Sequence, residues 1–153
     1  MLDDIVARCP GTAETVLKNC REVLLAVLSQ DPARWPTDDL WPSLLPDWFI
    51  EASAPEESPE DAERYIQWLL ALPYEERVRH ASEEARRFGW SISSFLYWFG
   101  PKGERVWRWW DARVEDPEIL RVTVEIDGWP WGGGDALLWL LRASGASTAE
   151  REI

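Results

Sequence analysis

The hydrophobic pattern changes period along the chain, and those changes divide it into elements. Residues 119–126 alternate strictly, with Leu120, Val122, Val124 and Ile126 on one side and Arg121, Thr123 and Glu125 on the other. A period of two predicts a half-buried strand. Residues 104–114 predict a second strand: Val106, Trp110, Ala112 and Val114 share a face interrupted by Arg108, and Trp107 and Trp109 fall opposite with Arg105 and Arg113. Glu115-Asp116-Pro117-Glu118 sits between the two, and Pro117 suits the second position of a type I turn, where its fixed φ is preformed.

Elsewhere the period is helical. Val16, Leu17, Cys20, Val23, Leu24, Val27 and Leu28 recur at spacings of three and four, which predicts an amphipathic helix from a Thr12 cap to about Gln30. Ser58-Pro59-Glu60-Asp61 marks another start, with a capping Ser, Pro in the first turn and acids at the positive end of the dipole. Its predicted core face is Ala62, Tyr65, Ile66, Leu69 and Leu70, and it stops near Leu72. Pro73 opens a further helix with the stripe Tyr74, Val78, Ala81, Ala85 and Phe88, ended by Gly89. Residues 136–143 are apolar on nearly all sides and predict a buried helix capped by Asp135. Ser91–Phe99 fits either a short helix capped by Ser91 or a third strand over Phe95–Phe99, and the helix is preferred. Leu2–Arg8 reads as a short turn or helix. From Asp31 to Pro59 the prolines at 32, 36, 42, 46, 55 and 59 forbid a long helix, although the stretch is too apolar for a solvated linker.

These elements predict an α+β single domain spanning residues 1–146, with 147–153 a frayed tail. Four or five helices would pack on a small antiparallel sheet, a meander of two or three strands. A chain of 153 residues is long enough to bury a core of this kind.

Composition adds two facts. Twelve of the residues are Trp, which dominate cores and interfaces alike. The formal net charge is −12, which disfavours binding to a nucleic-acid backbone or an anionic membrane surface. Two cysteines, Cys9 and Cys20, are too few for a disulfide framework, and the N-terminus is acidic where a signal peptide would be basic. A cytoplasmic protein is expected.

Motifs for catalysis are sparse. The one histidine, His80, follows Glu76 by four residues and reads as an exposed helix position. Two Cys and one His show no metal-ligand spacing, and Asp38-Asp39 and Glu56-Glu57 form no calcium-loop pattern, so no metal site and no cofactor are expected. Gly132-Gly133-Gly134 precedes a helix but lacks the Lys-Ser/Thr of a phosphate loop.

The charge is unevenly placed. Between Trp35 and Glu63 stand nine acids and no Lys or Arg, interleaved with Trp35, Trp41 and Trp48. Acids steer and orient a basic partner, and aromatics anchor it. The expected function is therefore a non-catalytic acidic protein-binding module, of the inhibitor or immunity type, neutralising a basic protein. Its candidate contact residues are Trp35, Asp38, Asp39, Trp41, Asp47, Trp48, Glu56 and Glu57. Trp107 and Trp109 form a second candidate, an aromatic surface if the back of the hairpin is open; if helices cover both faces they are core, and core is the preferred reading. The alternative is a small enzyme or ligand-binding domain with a Trp-lined cleft and carboxylates such as Asp111 and Glu125.

Overall fold

The computed structural model describes residues 1–153 apart from 78, 81, 82, 84–88, 129, 130 and 153. It is an α+β arrangement in two layers. In chain order the elements are β1 (Leu2–Arg8), α1 (Ala13–Leu28), a 3-10 turn (Pro32–Arg34), α2 (Trp41–Leu44), α3 (Asp47–Ala52), α4 (Pro59–Leu70), α5 (Ile92–Tyr97), β2 (Trp107–Asp116), β3 (Ile119–Ile126), α6 (Gly134–Ala143) and β4 (Thr148–Arg151). Residues 74–77 are also helical; of the stripe expected to follow, Val78, Ala81, Ala85 and Phe88 lie outside the described residues.

The sheet has four antiparallel strands in the order β2-β3-β1-β4. Two of them correct the sequence reading. Leu2–Arg8 is a strand rather than a turn or helix, paired with β3 on one side and β4 on the other. Ile5, Ala7 and Cys9 alternate into the core, each 0% exposed. The expected frayed tail contains β4, an edge strand whose Ala149 lies opposite Ala7. Main-chain bonds fasten both its ends: Ser147 N–H donates to the Arg8 carbonyl at 2.8 Å and Glu152 N–H to the Asp4 carbonyl at 2.8 Å.

The β2–β3 hairpin is antiparallel as expected, and its register shifts twice, at Trp110 and again at Glu115. Trp107 opposes Ile126 and Trp109 opposes Val124, but Ala112 opposes Val122 and Val114 opposes Leu120, because the register shifts at Trp110. An extra residue in one strand turns the side chains after it to the other face. Odd-numbered Trp107 and Trp109 and even-numbered Ala112 and Val114 therefore meet on the same buried side. The bulged Trp110 is left 60% exposed, and Trp107 is 1% exposed. This decides between the two readings of the pair: Trp107 is core and Trp109 is half-buried against it.

One sheet face is covered by helices. α1 packs on β2 and β3, and α6 packs on α1 and β4. Val16, Cys20, Val23 and Val27 of α1 and Leu137, Leu140 and Leu141 of α6 are fully or almost fully buried. Trp41, Trp107 and Trp139 join Phe49, Phe95 and Phe99 in the buried aromatic cluster. The residues at 91–99 settle as helix, with the Ser91 hydroxyl accepting from Ser94 N–H at 3.2 Å.

Three capping or packing expectations need revision. Thr12 and Asp135 make no side-chain cap. Asp135 lies inside α6, whose cap position is Gly133 with φ +78°, a left-handed conformation that favours glycine. Ser58 does cap α4, accepting from Asp61 N–H at 3.2 Å. Yet α4 buries none of its residues: Ile66 is 53% and Leu70 63% exposed, so its expected core face is not core.

Candidate docking surface

The segment between α1 and α4 passes over the helical side of the domain, where its prolines break it into short turns. Trp41 begins α2 and points inward at 1% exposure, its ring 5.1 Å from that of Trp35. Phe49 of α3 is 0% exposed and contacts the rings of Trp48, Phe95 and Trp139. Apolar side chains thus nail the segment down, and its polar ones face outward. All nine acids between Trp35 and Glu63 are exposed.

Residues 53–58 return the chain past α5. Ala54 N–H donates to the Trp90 carbonyl at 2.9 Å, and the Glu56 carboxylate accepts from Ser93 N–H at 2.9 Å in the first turn of α5. Acceptance there satisfies a helix N–H that has no partner within the helix. The result brings Asp38, Glu56 and Glu57 around one groove of about 440 Å³, with Trp41, Ile92 and Leu96 among its apolar lining. An adjoining groove of about 290 Å³ is bordered by Trp35, Asp38, Tyr97 and Lys102 and shares Trp41 and Leu96.

The expected contact residues are therefore not equivalent. Asp38, Glu56 and Glu57 converge on one groove. Trp35 is half-buried beside it, and Trp41 belongs to its floor, so Trp41 is no exposed anchor. Asp39 accepts from the Thr37 hydroxyl and is exposed, Asp47 lies in the first turn of α3, and Trp48 is half-buried beside Phe49. Sequence spacing did not point to Tyr97 or Lys102, which α5 and the turn after it bring to the adjoining groove.

The uncovered face of the sheet carries a different arrangement. Arg121, 16% exposed at its side chain, pairs with Glu115, Asp4 and Glu152, and the Thr123 hydroxyl donates to Asp4 at 2.6 Å. Hydrogen bonding from Arg121 holds the Glu115 carboxyl below its ordinary pKa. Arg108 pairs with Glu125 at 2.9 Å and with Asp127 at 3.2 Å. Asp111 sits opposite Thr123 on this face. Asp111 and Glu125 thus lie on an open sheet face, where Glu125 is ion-paired with Arg108. His80 places its ring 5.1 Å from that of Trp68.

Among the described residues no group of three His, Cys, Asp or Glu is placed to hold a metal ion, and no helix is long and apolar enough to cross a membrane. Comparison with protein-family models, with curated proteins and with solved structures found no match.

Proposed function

We propose that this protein is a non-catalytic, acidic protein-binding module that docks a basic protein partner, in the manner of an inhibitor or immunity-type protein. One observation carries the reading. Nine exposed acids fall in a stretch without a base, and three of them, Asp38, Glu56 and Glu57, surround a groove with an apolar floor. Exposed like charges raise the local potential and speed the approach of an oppositely charged surface. An apolar floor beneath them gives a partner side chain somewhere to be desolvated, which is where binding energy concentrates.

The test is affinity capture with wild-type protein and with D38N/D39N/E56Q/E57Q side by side. Gln at position 56 keeps an oxygen to accept from Ser93 N–H. A partner with a basic surface, retained by the wild type and lost from the variant, supports the reading. A partner without a basic surface, or one held equally by both proteins, contradicts it.

A further inference from the structure

Among the described residues, the apolar side of α4 contributes nothing to the buried core. The helix is amphipathic, yet none of its residues is buried. Ala62, Tyr65 and Leu69 are half-covered, while Ile66 and Leu70 stand 53% and 63% exposed. Ile66 and Leu70 are four residues apart, and Glu63 precedes Ile66 by three, so the three side chains fall on one strip of the helix. An amphipathic helix with an open apolar strip is a surface for a second amphipathic helix.

Charge selects the occupant. Glu60 and Glu63 are exposed towards the N-terminal end of the helix, and Asp61 has Arg64 at 3.9 Å. A second copy of this chain would bring like charge to like charge, given a net charge of −12. An anionic lipid surface is disfavoured for the same reason. We infer that α4 docks a basic amphipathic helix of a partner protein, whose apolar side covers Ile66 and Leu70 and whose cations meet Glu60 and Glu63. This inference rests on the acidic docking reading and specifies the secondary structure and face of the partner segment.

The probes are a leucine–lysine peptide with leucines at helical spacing and a scrambled peptide of the same composition. Binding of each to the intact protein is measured at low and moderate salt, for the wild type, I66S/L70S and the control L25S/L28S on exposed positions of α1. The ordered peptide should bind the wild type about tenfold or more tighter than the scrambled one, since only leucines gathered on one side of a helix can cover both apolar anchors. I66S/L70S should abolish that difference, and L25S/L28S should preserve it. Glu63→Lys tests the same contact without touching any packing, and should weaken the ordered peptide. Equal binding of the ordered peptide by I66S/L70S and wild type overturns the inference. If both peptides bind alike and salt weakens both, the acidic reading survives and the α4 inference fails. If neither binds at low salt, both fail.

Discussion

Trp107 donates its indole N–H to the Gly133 carbonyl at 2.9 Å. The bond joins the first residue of β2 to the cap position of α6, and both groups are buried. A side chain at Gly133 would place its Cβ 3.3 Å from the same indole nitrogen, so the approach is close as well as hydrogen-bonded. The buried Trp48 indole N–H, by contrast, has no partner among the described residues. Replacing each Trp by Phe separates the two cases. Trp107→Phe should cost about 2–4 kcal/mol, because it opens a void and strands a carbonyl. Trp48→Phe should cost about 1 kcal/mol or less, since the lost N–H was unsatisfied. Denaturant midpoints of the two variants decide the order.

Leu140 of α6 and Val124 of β3 are both 0% exposed and mark the two layers of the core. Leu140→Ala should cost about 2–5 kcal/mol. Val124→Asp should cost more and remove cooperative unfolding, because it buries a charge without a partner. An unchanged thermal midpoint for either would contradict the packing.

How much of this fold the chain displays in its pattern depends on the element. β3 and α1 announce themselves because each buries one clean face, and α6 because it is apolar on nearly all sides. β1 carries the same signal in Ile5 and Ala7, continued by Cys9, but over three positions between Asp3-Asp4 and Pro10-Gly11, too short a run to distinguish from a turn. β4 has only Ala149 buried among its four residues, and exists because β1 offers a free edge. The bulge at Trp110 breaks the period of two inside β2, so a strict alternation assigns Trp107 and Trp109 to the wrong side. Of the candidate docking surface, composition reveals the charge. The convergence of Asp38 with Glu56 and Glu57 depends on tertiary contacts around α5, which no local pattern encodes.

Cys9 and Cys20 are free and fully buried. Burial raises both thiol pKa values, that of Cys20 to about 12. Thiolate is the reactive form, so neither should react with iodoacetamide at neutral pH in the native protein. Both should react in denaturant, and the labelling rate should track unfolding. Fast modification of the native protein would contradict this packing.

The Glu115–Arg121 pair makes stability depend on pH on the acid side. Glu115 has a lowered folded-state pKa, so its contribution is complete above the ordinary carboxylate pKa and is lost as pH falls through the lowered value. Arg121 stays charged throughout. Arg121→Met should therefore be less stable than wild type at neutral pH, and the gap should close in acid. A gap that is constant from neutral pH to pH ~3 would exclude the pair as its source.

The central claim is that the stretch from Trp35 to Glu63 attracts and holds a basic partner. Its most direct measurement is the association rate of the captured partner with wild type and with D38N/D39N/E56Q/E57Q across a salt series. The wild-type rate should fall steeply as salt rises, whereas the variant should start slower and depend less on salt, with dissociation rates changed much less. Thermal stability should be nearly unchanged, since exposed charges contribute little to it. Identical association rates for the two proteins at low salt would contradict the claim.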